Sequence, residues 1–347
     1  MTEDYVALIG AVLPPRIFRV QRIAGLLELT IESCAKRGDT GLPASNPRPP
    51  RFSFMQPTPS KPMAALSMAG WLAMMLVMVV AGRETAREMN VFALMEIRSV
   101  IGIFLLLPFV YRHGGFATLK TRRLPLHITR NLIHYVSQFG WFFALTLIPI
   151  GQVVAIEFTM PIWTAILAAS FLGERMTVWK LAAIVLGIVG VVIIVRPATG
   201  TVNPGQLIAL AAAVGFGISM ALVKSLTRTE SAFAIVFWMM VIQAIAGFVP
   251  TLFVWVWPSA YIWGWVSVVG VVGTFSHYCL ANALRYADAT VVVPMDFLRV
   301  PLTAIAGWLI YSEQLDLLTV VGAVLILTGN LLNLKPVTAA VPARAGA

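Results

Sequence analysis

Residues 144–190 read ALTLIPIGQVVAIEFTMPIWTAILAASFLGERMTVWKLAAIVLGIVG, and residues 283–329 read ALRYADATVVVPMDFLRVPLTAIAGWLIYSEQLDLLTVVGAVLILTG. Laid on each other at a constant offset of 139 residues, the two stretches agree where side-chain chemistry matters. Ala144-Leu145 falls on Ala283-Leu284, Glu157 on Asp296, Phe158 on Phe297, Glu174 on Glu313 and Gly190 on Gly329, and Pro161 lies one residue from the place matched by Pro301. Weak internal symmetry of this kind marks a chain built from two copies of one structural unit.

The residues around the repeat say which solvent that unit faces. The apolar types AVILMFWYC make up 59% of the 347 residues and the charged types 12%, against roughly 25% charged in a soluble domain. A water-facing surface cannot be built from that. Leu181 to Val195 and Val236 to Val256 carry no charge at all, and such stretches belong in hydrocarbon. Segments of about 20 residues, each able to cross about 30 Å at 1.5 Å per residue, are predicted at 63–82, 91–111, 126–147, 151–172, 178–195, 205–224, 231–256, 261–284, 288–311 and 315–334. The fold class is therefore an all-α membrane protein of ten transmembrane helices. Each half holds five, so the second enters the membrane inverted relative to the first.

Loop charge gives the orientation. With a cytoplasmic N-terminus, the inner side collects Arg112, Lys120, Arg122, Arg123, Arg175, Lys180, Lys224, Arg228, Arg285 and Lys335, while the outer side holds Arg83, Arg87 and Arg196. The positive side faces the cytoplasm, so both termini are expected there. The formal charge of +10 is then a topology signal. Basic residues spread singly between apolar segments make no nucleic-acid surface. Cys34 and Cys279 show no metal-ligand spacing and exclude a disulfide framework.

Four segments follow from this division: a tail over 1–62, a first repeat over 63–197, a second over 203–335, and a cytoplasmic tail over 336–347. The first tail holds nine prolines and no run long enough to span. It reads as disordered, or as a stretch upstream of a start at Met55 or Met63.

The pattern of Ala-Leu, a helix with a mid-span proline, Gly173-Glu174-Arg175, and a Gly-rich helix ending at Arg196-Pro197 resembles the EamA type of the drug/metabolite transporter superfamily. The likeness covers about residues 63–335, with Ser312-Glu313-Gln314 a degenerate second copy of the hairpin. The resemblance implies a ten-helix carrier with a central cavity and alternating access. Small four-helix relatives couple to protons through a carboxylate in their first helix. Residues 63–82 contain no acid, so Glu157 or Asp296 would have to take that part.

Ionisable groups inside spans cost at least about 2.5–3.5 kcal/mol each on insertion scales and usually face a partner or a wet cavity. Here they are Glu96 and Arg98, Arg130 and His134 with Gln138, Glu157, His277 with Asn282, and Asp296 with Arg299. Arg130, His134, Gln138 and Trp141, spaced four, four and three apart, share one helical face. Arg130 is read there as snorkelling to the cytoplasmic surface. His134, Gln138 and Trp141 are candidates for substrate binding. So are Asp296 and Arg299, on a segment kinked by Pro294 and Pro301, where proline removes an amide donor. An internal ion pair that locks packing is the competing account of that pair. Arg98 and Glu157 lie at similar depth and are expected to pair across the second and fourth spans, as a clasp or an outer gate. Trp71, Trp179, Trp255, Trp257 and Trp263 are read as interfacial anchors, and small residues such as Ala183 and Gly187 as packing sites.

No HExxH, nucleophile elbow or phosphate loop occurs, so an enzyme is not expected. Nothing resembles a channel filter. A secondary carrier accounts for both the repeat and the buried charges; a multidrug or metabolite exporter and a non-transporting scaffold are the alternatives. The expected cargo is a small polar or zwitterionic metabolite. The resemblance supplies the candidates: a riboflavin-like vitamin, S-adenosylmethionine, an amino acid, or an amino-acid-derived metallophore. The expected setting is the cell inner membrane, with the lipid bilayer, a coupling ion or exchanged solute as further partners, a homodimer left open, and no cofactor.

Overall fold

The computed structural model describes residues 61–112, 115–172, 177–196, 202–226, 229–286, 295–314 and 316–334. The tails and the hairpin residues Gly173, Glu174 and Arg175, together with Pro197 and Pro294, lie outside them. Every regular element among the described residues is helical: α1 (Lys61–Thr85), α2 (Val91–Arg112), a 3-10 turn (Gly115–Leu119), α3 (Leu124–Leu147), α4 (Ile150–Glu157), α5 (Met160–Leu172), α6 (Val178–Val195), α7 (Pro204–Leu226), α8 (Ala232–Val254), α9 (Ala260–Tyr286), α10 (Arg299–Tyr311) and α11 (Leu317–Asn333). Among the described residues six stretches are long and apolar enough to cross a membrane, with mean hydropathy from 1.5 for Ile150–Leu167 to 2.7 for Val178–Val195. The outward side chains are apolar too, among them Ile245, Leu252 and Phe253 at 70%, 62% and 75% exposure. A surface of that composition is solvated by lipid. α3 and α9 are 24 and 27 residues long, and α3 buries His127, Arg130, Asn131, Ser137 and Gln138 in the interior.

The span expected to run unbroken over 151–172 is two helices. α4 stops at Glu157, and Phe158-Thr159 form a turn before α5 begins at Met160. Pro161 explains the position, because it has no N–H to offer the carbonyl of Glu157 and is tolerated in the first turn of a new helix, where no such donor is needed. Tighter bonds take over, from Thr159 N–H to Ile156 O at 3.0 Å and from Ile162 N–H to Thr159 O at 2.9 Å. The Phe158 carbonyl is met by Asn330 Nδ2 from α11 at 2.7 Å. The second repeat breaks at the equivalent place, with a turn at Phe297-Leu298 ahead of α10. Of the span expected at 288–311, residues 288–294 lie outside the described ones.

Packing follows the repeat. α1 lies mainly on α9, α3 on α7, α2 on α8, and α6 on α11. Exchanging the halves turns the first pair into the second and returns the last two to themselves. The α6–α11 crossing shows the relation atom by atom. A Cβ at Gly190 would stand 2.6 Å from the Gly322 carbonyl, and one at Gly329 would stand 2.8 Å from the Ala183 carbonyl. At the 139-residue offset Gly190 matches Gly329 and Ala183 matches Gly322, so the two contacts are copies of each other. As α6 runs from Ala183 to Gly190, its partner residues run from Gly329 back to Gly322, and the two helices are antiparallel. Such close approach needs small residues on both sides.

Candidate substrate site

The two breaks bring the chain's matched acids to one arginine. Arg299 opens α10, is 5% exposed, and donates from Nη2 to Glu157 Oε1 at 2.9 Å. Its Nε lies 3.5 Å from Asp296 Oδ1, and its guanidinium sits 4.8 Å over the Phe158 ring. Each acid also accepts an indole N–H: Trp141 Nε1 donates to Glu157 at 2.8 Å, and Trp71 Nε1 donates to Asp296 at 2.6 Å. Phe158 and Phe297, the matched turn residues, meet edge to face with ring centroids 5.7 Å apart. Arg299 Nη1 has no hydrogen-bond partner. Two carboxyl groups, one guanidinium and two indoles from α1, α3, α4 and the α10 segment thus meet in the interior. Such a group can hold a polar or cationic centre between aromatic faces.

Sequence reasoning placed Trp71 at an interface. The structure buries it at 7% exposure, because α1 begins at Lys61 and ten residues of helix put the indole about 15 Å along the axis. The expected pairing of Arg98 with Glu157 is not what forms. Arg98 donates to Gln138 Oε1 at 3.0 Å and to Gln243 Oε1 at 3.2 Å, while Glu157 is taken by Arg299 and Trp141. Similar depth on two helices does not make their side chains face each other. Arg130 does not snorkel: it is 7% exposed and donates to Asn131 Oδ1 at 2.6 Å.

The shared face of α3 reaches several neighbours. Gln138 meets Arg98, Trp141 meets Glu157, and His134 Nδ1 lies 3.4 Å from Ser219 Oγ on α7 with its ring 5.2 Å from that of Phe216. His277 on α9 stands 6.2 Å from Trp71, ring to ring. The side chain of Asn282 lies outside those described.

Polar clasps close both ends of the bundle. At one end Glu313 accepts from Arg83 of α1 and, at 2.9 Å, from the backbone N–H of Ile150 at the start of α4, and Arg196 pairs with Asp316. At the other, Glu230 meets His127 at 2.5 Å and Thr121, while Arg123 donates to Ser225 O at 2.7 Å. His127, Arg123 and Glu230 carry no spacing signal in the sequence, since the contacts join elements about a hundred residues apart.

A bundle of apolar helices in two repeats, with its ionisable groups gathered inside at paired helix breaks, is a multi-pass membrane protein of the transporter class. The sequence profile of the EamA-like transporter family matches residues 63–196 and again 203–335. The chain belongs to that family. It is 30% identical over 266 residues to an S-adenosylmethionine uptake transporter of Rickettsia felis, covering 76% of this chain and 90% of the relative. It is 32% identical over 240 residues to a riboflavin transporter of Brucella anthropi, covering 67% and 84%. A pseudopaline exporter of Pseudomonas aeruginosa is 27% identical over 252 residues, covering 70% and 86%. One solved crystal structure superposes with a TM-score of 0.56 at 19% identity, over 79% of this chain and 97% of the other, a likeness of fold alone.

Proposed function

We propose that the chain is a secondary carrier that moves a small polar or zwitterionic metabolite across the cell inner membrane by alternating access, through ten spans in two inverted repeats with both termini cytoplasmic. The antiparallel crossing of α6 and α11, which are equivalent in the repeat, supports inversion. The observation that carries the reading is the meeting of the two broken segments: Glu157 and Asp296, matched by the repeat, share Arg299 beside Trp141 and Trp71. Broken helices at mid-bundle are where carriers of this architecture bind cargo and change shape. His134, Gln138, Trp141, Asp296 and Arg299 line that site. Glu157 serves it as the anion that moves with the first repeat, and Arg98 orients Gln138. With two acids to one arginine, the group is also the place for a coupling cation or proton. Candidate cargoes are those named for the relatives, S-adenosylmethionine, riboflavin and an amino-acid-derived metallophore, together with amino acids.

The test is uptake by the purified protein in proteoliposomes, with S-adenosylmethionine, riboflavin, amino acids and an opine-type chelator as probes. One class should accumulate saturably, and Asp296→Asn and Trp141→Phe should each lower that accumulation at equal protein content. Accumulation no greater than in empty vesicles for every probe, or variants that transport like the parent, would overturn the proposal.

A further inference from the structure

The two acids of the broken segments account for Arg299, but among the described residues four other basic side chains have no acid. Arg130, His134 and Gln138 follow one another at four-residue intervals along α3, Gln138 holds Arg98 of α2, and His277 of α9 lies near enough to Arg98, Arg130 and His134 to feel their charge. The two arginines are 1% and 7% exposed. Their hydrogen bonds go to neutral amides, Gln138, Gln243 and Asn131, and the Nε–H of each has no partner. Among the described residues no carboxylate lies within ion-pairing distance of either guanidinium.

Glu96 does not fill the gap. It is two positions from Arg98 on α2, and residues so spaced do not face each other. Its Oε2 is aimed at Gly247 of α8, where an added Cβ would meet that oxygen at 2.6 Å and the Tyr135 hydroxyl at 2.9 Å. Arg98 has its own space instead. Gly273 of α9 faces it, and a Cβ there would come within 2.8 Å of Arg98 Nε. Amide oxygens orient a guanidinium without neutralising it, and a buried charge left unpaired costs several kcal/mol. A packing role alone does not explain two such buried cations along one face of α3.

We infer that Arg98, Arg130, His134 and His277 form a carboxylate subsite, and that the cargo is an amino-acid-type zwitterion that brings the missing anion. This rests on the carrier reading of the central site and narrows it. The carboxylate lies against Arg98 and Arg130, and the cationic centre lies toward Glu157 and Asp296. The geometry joins the two. Gln138, which holds Arg98, is three residues from Trp141, which holds Glu157, a rise of about 4.5 Å along α3. Trp71 touches both sides, with its N–H on Asp296 and its ring beside His277. Amino acids and their derivatives, S-adenosylmethionine included, carry the required carboxylate; riboflavin does not.

Thermal stabilisation of the purified full-length protein tests the subsite. The probes are the common amino acids, S-adenosylmethionine with its α-decarboxylated analogue, and riboflavin. At least one carboxylate-bearing probe should stabilise the parent at concentrations more than ten-fold below those its carboxyl-free counterpart requires. Arg98→Gln should remove that advantage, so that both members of a pair stabilise this variant at similar concentrations, while Arg98→Lys should keep part of it. Arg130→Gln is the second variant should Arg98→Gln fail to fold, with the same expectation. Equal stabilisation by both members of a pair, stabilisation by riboflavin alone, or no stabilisation by any carboxylate-bearing probe overturns the inference. Failure of the carrier reading looks different: a carboxylate-selective probe binds, yet reconstituted protein does not move it.

Discussion

Neutralising Glu157 and removing Arg299 should have unequal consequences for stability, although both should stop transport. At the observed separations of 2.9 Å to Glu157 and 3.5 Å to Asp296, an effective dielectric constant near 20 gives attractions of about 6 and about 5 kcal/mol before desolvation. Arg299→Met abolishes both and leaves two carboxyl groups facing each other in the interior. Breaking a buried ion pair from one side costs about 3–5 kcal/mol, which at roughly 2–4 °C per kcal/mol for a domain of this size order lowers the melting temperature by about 10 °C. Glu157→Gln loses one attraction but leaves Arg299 and Asp296 as a one-to-one pair, and the amide oxygen still accepts from Trp141. Its cost should stay below about 1.5 kcal/mol, the net value of a neutral hydrogen bond. Adding Glu157→Gln to Arg299→Met should recover part of the loss, since one uncompensated acid is cheaper than two. The assay is the melting temperature of the detergent-purified parent, both single variants and the double variant, beside proteoliposome uptake. A Glu157→Gln protein that melts as low as Arg299→Met, or an Arg299→Met protein that melts like the parent, would refute this account of the triad.

Three further outcomes follow from particular contacts. Asn330→Ala removes the donor to the Phe158 carbonyl at the first helix break. Leaving that buried acceptor unmet should cost about 1–3 kcal/mol, measured as a lower melting temperature, whereas a change at an exposed site such as Thr328 should not register. Gly190→Ala would press a methyl to 2.6 Å from the Gly322 carbonyl. Overpacking of about 1–3 kcal/mol is expected from melting curves, with a cost at Gly322→Ala of the same order. Asp316, the half-exposed N-cap residue ahead of α11, is raised by partial burial but carried below the ordinary aspartate range by the Thr319 N–H and by Arg196. A depressed folded-state value contributes stability above the unfolded aspartate range that is lost as pH falls through the folded one. Asp316→Asn should therefore lower the neutral side of the melting profile and leave its acid side, where the parent's carboxyl is already protonated, nearly unchanged.

The two-repeat helical fold is legible because lipid imposes length and apolarity on every span, and because Glu157 and Asp296 keep their register at a constant offset. The α3 face is legible for the same local reason, since spacings of four, four and three residues fix Arg130, His134, Gln138 and Trp141 on one side of one helix. Relations between helices are not local. Residue counting placed Arg98 and Glu157 at similar depth but could not give the rotation of α2 about its own axis, and that rotation turns Arg98 toward Gln138 and Gln243. Trp71 was misjudged because α1 begins before its apolar run does, so counting from Met63 gives too shallow a depth. Pro161 was visible, and the break it causes could have been read from the missing donor to Glu157. What could not be read is that Asn330, from the far end of the chain, completes the hydrogen bonding of that break.

The arginine between the acids is what prevents the two halves from being interchangeable. Glu157 and Asp296 are equivalent by the repeat, but the position matching Arg299 is Met160, and the indole donors are not equivalent either, since the position matching Trp141 is Leu280. A perfectly symmetric pair of breaks would place two like charges opposite each other. The single arginine converts that repulsion into two unequal attractions, a hydrogen-bonded contact to Glu157 across the repeats and a longer contact to Asp296 within its own segment. Arg299 is tied through α10 to the second repeat, so any movement of the halves against each other stretches the Glu157 contact while the Asp296 contact, three residues away on the same segment, travels with it. A cationic group on the cargo that neutralised Glu157 would weaken the ion pair by which Arg299 holds the first repeat's broken segment. Binding at this site and freedom of the two halves to rock are thereby linked through the same carboxylate.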